Sequence, residues 1–247
     1  LITSIGLDHL DWLPENERTI EKIIYEKTSI LLNSTIVVSK QSSDHILEKI
    51  KNSIKENKSK KIIFNNEFSY SINENNFFYF EDEFGGIKLP YPNIIGKFQL
   101  DNIATAIAAI RDLKLNIDDE KIKQGITKIK SIGRLQEIKK GKLKNLVKKN
   151  KLFIDGSHNP LGAKALIDYL DTLNCQKHII LGMMTNKDHK RMLIETLILK
   201  HLLEINEDMA LSIDSFRSTL VGTKRQVTAL PTSTFCGCSI FQSLAKL

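Results

Sequence analysis

One segment narrows the choice of fold more than any other: Phe153-Ile154-Asp155-Gly156-Ser157-His158-Asn159-Pro160. Lys151–Asp155 reads as a buried strand, and Pro160 suits the first position of a helix, where its missing N–H has no partner to lose. Ala163, Leu166, Ile167 and Leu170 then recur at helical spacing. His178–Met183 supplies another short apolar strand. Strand, tight loop, helix, strand predicts a parallel sheet that meets ligands at the carboxyl ends of its strands. At such an end Asp155 is placed to bind a pair of ribose hydroxyls. His158 and the helix start beside it favour a carboxylate or a phosphate.

Upstream the same alternation recurs. A helix is expected over Thr19–Leu32, striped by Ile20, Ile23, Ile24 and Ile30, and another around His45–Ile54. Short strands at Thr35–Ser39 and Lys61–Phe64 flank the second helix, as in a βαβ unit. Asn76–Phe80 and Ile87–Leu89 flank Gly85-Gly86 and suggest a hairpin. After Pro90 and Pro92, helices follow over Gln99–Leu113 and from Asp118, a helix cap, to Ile129. The fold class is therefore α/β. A domain boundary is expected at Ser131-Ile132-Gly133-Arg134, dividing the chain into 1–131 and 132–247. Leu1–Leu7 reads as a strand running into a loop, with no initiator Met before it. The chain is thus expected to be a fragment whose strand partners lie upstream.

The 247 residues are 41% hydrophobic and 26% charged, ordinary values for a globular protein. No apolar run approaches the roughly 20 residues that span a bilayer, and no basic-then-apolar leader opens the chain. The three cysteines, Cys175, Cys236 and Cys238, make neither a disulfide framework nor a metal motif. A cytoplasmic location, no membrane partner and a monomer are expected. The net charge of +7 and lysine runs such as Lys139–Lys151 raise nucleic-acid binding as an alternative. No aromatic platform is interleaved with them, so a solvated surface is the expectation, and no nucleic-acid partner.

Several other residues could carry chemistry. Asp8-His9 follows the opening strand, where an imidazole reaches a metal or merely closes a loop. Lys27 is read as projecting from the apolar face of its helix. There it either snorkels to the edge or, as a carbamate, becomes an oxygen ligand suited to Mg²⁺. Gln99 and Asn102, three residues apart, present amides at a helix start, as ligands or as plain caps. Arg134, after a glycine at the expected junction, clamps phosphates or makes a surface ion pair.

Taken in order, these segments resemble the folylpolyglutamate synthase and dihydrofolate synthase branch of the Mur ligase family. The matching stretches are Ile2–His9, Glu26-Lys27, Gly96-x-x-Gln99-x-x-Asn102, Gly133-Arg134, Ile154–Pro160 and Leu181-Gly182-Met183-Met184-x-x-Lys187-Asp188. They cover roughly residues 1–190. The resemblance implies a central P-loop-type ATPase domain, here its later part, followed by a partial Rossmann-like glutamate ligase domain. It implies ATP-dependent addition of L-glutamate to a folate (tetrahydrofolate or dihydropteroate) through an acyl phosphate, with ATP and Mg²⁺ as cofactors. It implies His9 as a Mg²⁺ ligand and Lys27 as a carbamylated lysine supporting metal and phosphate. Gln99, Asn102, Arg134 and Asp155 would serve the ATP site, and His158 would stand near the glutamate or the domain interface. Closure of the two domains would then complete the site.

The chain also departs from the family pattern. Phe98 stands where His is common, Thr28-Ser29 replace Ala-Gly, and Gln136 stands where Glu is frequent. No Gly-rich Lys-Ser/Thr phosphate loop is present, so the chain alone is expected to be inactive. Beyond about residue 190 the family pattern stops and the residue usage shifts, which raises a change of reading frame. The alternatives within the class are a dihydrofolate synthase, a bifunctional enzyme or another Mur-type ligase. Outside it stand a basic nucleic-acid-binding module and a non-catalytic remnant kept for subunit interaction.

Overall fold

The structure is a computed structural model that describes residues 1–8, 10–32, 34–180 and 237–242. For 237–242 and for Asp11, Gln176, His178 and Ile180 it describes the backbone alone. The chain divides into two compact units, Leu1–Gln136 and Glu137–Leu247.

The first unit is built on a parallel pair, β1 (Ile36–Val38) and β2 (Lys61–Ile63), in which Val37 stands opposite Ile62. Helix α2 (Asp44–Ser53) makes the crossover between them and is capped by Ser43, whose hydroxyl accepts from the Ile46 N–H. Because side chains alternate across a strand, each strand feeds two cores. Ile36, Val38 and Ile63 pack with Ile50 and Ile54 and with Ile23 and Ile24 of helix α1 (Ile20–Ser29). Val37 and Ile62 face the other way, into a cluster with Leu100, Ile103, Ala104 and Ile107 of helix α3 (Lys97–Asp112) and Ile122 and Ile126 of helix α4 (Asp119–Lys128). Burial on both faces explains why these strands are apolar without alternation.

The expected opening strand is reduced to a single parallel bridge between Ile2 and Val38. The Ile2 N–H donates to the Val37 carbonyl and the Ser39 N–H to the Ile2 carbonyl, both at 2.8 Å. By Ile5 the partner has become a side chain, Gln41 Oε1, at 2.9 Å. The same Gln41 amide donates to the Ser39 carbonyl at 2.8 Å, so one glutamine takes over where the ladder stops.

The expected hairpin gains a third strand. β3 (Phe68–Ile72), β4 (Phe78–Asp82) and β5 (Gly85–Leu89) form an antiparallel sheet in that order. Tyr70 stacks on Phe78 at 5.0 Å between ring centroids, and Phe68 on Phe80 at 6.0 Å. The turn between β4 and β5 is Glu83-Phe84, not the two glycines. Asp82 Oδ1 holds the Phe84 N–H at 2.9 Å, and Gly85, with φ of +100°, opens β5 opposite Asp82. Arg111 of α3 ties this end down, donating from Nε to Asp82 Oδ2 at 2.9 Å and from Nη2 to the Gly85 carbonyl at 3.1 Å.

In the second unit, β6 (Gln136–Glu137), β7 (Lys151–Asp155), β8 (Gln176–Ile180) and β9 (Gly237–Gln242) form one sheet in the order β6-β7-β9-β8. The expected parallel sheet is present with one change. β7 and β8 are not neighbours, because β9 lies between them, parallel to both, with Ile240 opposite Phe153 and Ile179. Helix α6 (Pro160–Leu170) joins β7 to β8 and buries Ala163, Leu166, Ile167 and Leu170, the expected stripe. A short helix α5 (Lys142–Val147) precedes β7 within the lysine-rich stretch. Leu181–Asp188 and the tail up to Cys236 lie outside the described residues. Among the described residues no helix is long and apolar enough to cross a membrane.

Phe80 is fully buried at the centre of the aromatic ladder. Phe80→Ala is expected to lower stability by about 3–5 kcal/mol, read as a reduced urea midpoint at unchanged slope. A loss below 1 kcal/mol would contradict the packing described.

Candidate functional site

In the second unit the site grows from the carboxyl end of β7. Leu152 and Phe153 bury the strand, and Asp155, the last residue of β7, is 1% exposed. Its Oδ1 accepts the Ser157 N–H at 2.8 Å, which turns the chain sharply away from the sheet. His158 Nδ1 lies 2.9 Å from the Gly156 carbonyl oxygen. A carbonyl can only accept, so Nδ1 carries a proton. Asn159 then caps α6, its Oδ1 accepting from the Gly162 N–H at 2.8 Å, with Pro160 beside it in the first turn. A Cβ on Gly162 would come within 3.0 Å of the Ser157 side chain, so loop and helix start are in close contact. Asp155 and His158 are therefore set by one tight loop at the helix's positive end.

In the first unit a second constellation forms at the start of α3. Gly96, with φ of +102°, begins the helix without a side-chain cap, and the Gln99 N–H donates to the Gly96 carbonyl at 3.0 Å. Gln99 is buried. Its Nε2 reaches Ser131 Oγ at 3.3 Å, and its Oε1 accepts from Asn102 Nδ2 at 3.3 Å. Asn102 itself is exposed. Ser131 opens the turn that carries Arg134, whose N–H donates to the Ser131 carbonyl at 3.4 Å. Gly133 adopts φ of +69°, and its N–H donates to Gln136 Oε1 at 3.0 Å. Glutamine at 136 thus does there what a glutamate could also do, offering an oxygen to the turn. Arg134 is exposed while Leu135 is buried, so the turn is anchored by its neighbour and the guanidinium faces solvent. Gln99 and Asn102 are thus brought together with the Arg134 turn, which begins at Ser131, 32 residues beyond Gln99.

The sequence reading missed the groups that hold this helix start. Asp101, between Gln99 and Asn102, accepts from the Tyr70 hydroxyl of β3 at 2.8 Å. Its carbonyl accepts from Thr105 Oγ1 at 2.7 Å. Burial pushes the Asp101 carboxyl above its ordinary range, against the opposing pull of the Tyr70 hydrogen bond and the Lys40 charge. Burial, and then the Asp101 hydrogen bond, push the Tyr70 hydroxyl up as well. The period-2 pattern Phe68-Ser69-Tyr70-Ser71-Ile72 could have revealed β3; nothing in the sequence pairs Tyr70 with Asp101.

One expectation is corrected. Lys27, read as part of the apolar face of α1, is exposed. The buried residues of α1 are Ile23, Ile24 and Thr28. A helix turns about 100° per residue, which sets Lys27 between Ile23 and Ile24 in angle; its exposure belongs to its place in the last turn of α1 and not to a rotation of the buried face. Thr28 closes the face instead, its hydroxyl donating to the Ile24 carbonyl at 2.9 Å and meeting Ser53 Oγ of α2 at 2.6 Å. His9 lies outside the described residues, beside a half-buried Asp8. Among the described residues no group of three or more His, Cys, Asp or Glu side chains could hold a metal ion. The donor set at the α3 start, an exposed amide and a guanidinium, does fit an anionic nucleotide.

The carboxyl of Asp101 also sets a pH dependence. Its folded pKa is raised, so the favourable contribution is fully present below the unfolded value and is lost as pH rises through the folded one. Asp101→Asn keeps an acceptor for Tyr70 and removes the buried charge. It is expected to raise Tm at pH 7, with the gain shrinking as pH falls toward the ordinary carboxylate range. A Tm difference independent of pH would contradict this.

Both constellations define one class of protein: α/β, with its candidate ligand residues at strand ends and helix starts. Comparison with known proteins then gives the particular relatives. The chain is 27% identical over 200 residues to the dihydrofolate synthase/folylpolyglutamate synthase of Escherichia coli (strain K12), covering 76% of this chain and 41% of that protein. It is 25% identical over 201 residues to the Haemophilus influenzae protein of the same name, covering 76% and 44%. Among solved structures, a bifunctional folylpolyglutamate synthase/dihydrofolate synthase with Mn, AMPPNP and L-glutamate bound matches with a TM-score of 0.63 at 26% identity, over 78% of this chain and 43% of that one. The Yersinia pestis CO92 bifunctional enzyme shares the fold, with a TM-score of 0.68 at 22% identity, over 98% and 57%. No family model matches the chain. The resemblance carried by the motifs is thus found again in overall sequence and fold. The chain spans less than half the length of the curated relatives it matches.

Proposed function

We propose that this chain is part of an ATP-dependent ligase that adds L-glutamate to a folate, with Leu1–Gln136 as the later part of a Mur-ligase ATPase domain and the rest as a Rossmann-like glutamate ligase domain. The observation that carries this reading is the sequence similarity to dihydrofolate synthase/folylpolyglutamate synthase over 200 residues. Supporting it, the family's motif residues lie at the start of α3, in the turn after Ser131 and in the loop after β7.

ATP supplies the phosphoryl group that turns a folate carboxylate into an acyl phosphate, which the amine of glutamate attacks with release of phosphate. The protein's part is positioning and charge neutralisation. The Arg134 guanidinium offers several donors to phosphate oxygens, and its planar fork suits them. Asn102 adds an amide at the helix start. Asp155, buried and holding the Ser157 N–H, sets the shape of the loop proposed to meet the ribose hydroxyls. His158, at the N-terminal end of α6, favours the carboxylate of the incoming glutamate. Mg²⁺ belongs to the proposal only through the family resemblance, in which His9 and a carbamylated Lys27 would hold it and it would neutralise phosphate charge.

A second reading is that the same site also glutamylates dihydropteroate. It is favoured by the two activities in the names of both curated relatives.

The test is incorporation of labelled glutamate by the full-length gene product, with ATP and Mg²⁺, into tetrahydrofolate, dihydropteroate or a UDP-linked muramyl acceptor. Incorporation into the folate acceptors alone is expected. Arg134→Ala should lower kcat/KM by about 10- to 100-fold, the worth of a charge-assisted hydrogen bond. Transfer to the muramyl acceptor only, or transfer without ATP, would overturn the reading.

A further inference from the structure

Gln99 stands in the constellation that the proposed function assigns to the nucleotide, yet both ends of its amide are engaged within the protein. Nε2 meets Ser131 Oγ and Oε1 meets Asn102 Nδ2, each at 3.3 Å, and the residue is 8% exposed. The link does not depend on how the amides are oriented. The Ser131 hydroxyl can donate or accept, so reversing both amides leaves every contact paired. Ser131 also receives the Arg134 N–H on its backbone carbonyl at 3.4 Å. An exposed amide on α3 and an exposed guanidinium on the following turn are thereby joined through one buried glutamine and one serine.

We propose that Gln99 and Ser131 are positioning residues, which hold Asn102 and the Arg134 turn at a set spacing, while Asn102 and Arg134 are the groups that touch the nucleotide. This rests on the nucleotide reading of the site and deepens it. Burial argues for the division: an amide at the end of a buried side chain has little surface to offer a ligand, whereas Asn102 and Arg134 are both exposed. Ser131 also has a reason to be serine. Alanine there would leave a buried amide without its partner, and such a group relaxes by moving.

Two measurements on the full-length protein test the proposal together. The first is the Kd of a fluorescent ATP analogue. Ser131→Ala is expected to weaken binding about 3- to 10-fold, as loss of one neutral hydrogen bond would, and Ser131→Thr, which keeps a hydroxyl, to recover most of that loss. In an Asn102→Ala background Ser131→Ala should cost less than it does alone, because part of its effect runs through Asn102 and the rest through the Arg134 turn. Full additivity, or no loss in Ser131→Ala while Asn102→Ala does weaken binding, would overturn the positioning role. The second is amide hydrogen exchange without nucleotide. Ser131→Ala should speed exchange at residues 97–102 and 131–136 and leave β3–β5 unchanged; unchanged exchange at those residues would also overturn it. If neither Asn102→Ala nor Arg134→Ala alters nucleotide binding, the nucleotide reading fails, and the exchange data still decide the bridge.

Discussion

The parallel pair β1–β2 carries both cores of the first unit, because its side chains leave alternately by opposite faces. Ile36 and Val38 go to the α1–α2 side and Val37 to the α3–α4 side, all three almost wholly buried. A slip of one residue in the pairing of β1 would exchange the two sets, so the register and the two-sided packing specify each other. The start of α3 inherits its place from this. Leu100 and Ile103 pack into the second cluster, which leaves Asn102 on the outer side of the same turn.

The first turn of α3 is held by polar contacts from several directions. Tyr70 bonds the Asp101 carboxyl from the aromatic sheet, and Gln99 reaches Ser131 across to the turn that bears Arg134. Such a network works only when its members are satisfied, since each polar group it buries is costly alone. The loop after β7 solves a related problem with fewer parts. Asp155 holds Ser157, His158 is oriented by the Gly156 carbonyl, and Asn159 caps α6, all within five consecutive residues.

That difference explains what could be read in advance. Asp155, Ser157, His158 and Asn159 meet partners two or three residues away, so spacing alone announced strand, loop and helix. The βαβ unit around α2 was legible for the same reason, through its apolar strands and the helical stretch between them. Ile20, Ile23, Ile24 and Lys27 share one helical face, so spacing alone could not show that Lys27 is exposed in the last turn. Thr28 is the residue of that turn that packs against α2, where it meets Ser53 25 residues away. β9 could not be inferred from Gly237–Gln242, since insertion between β7 and β8 is decided by backbone pairing across more than 50 residues.

The sequence by itself determined the α/β class, most of the helices, the strand-loop-helix segment at Asp155–Pro160 and the family resemblance, because these depend on periodicity, capping and short-range order. The tertiary structure decided that Thr28 and not Lys27 is buried in the last turn of α1, where β9 enters its sheet, and that Gln99 is joined to Ser131 and Asp101 to Tyr70. Those choices rest on contacts between residues 25 or more apart in the chain. Local pattern does not encode which distant partner a buried polar group will find; the packing of the cores around it does.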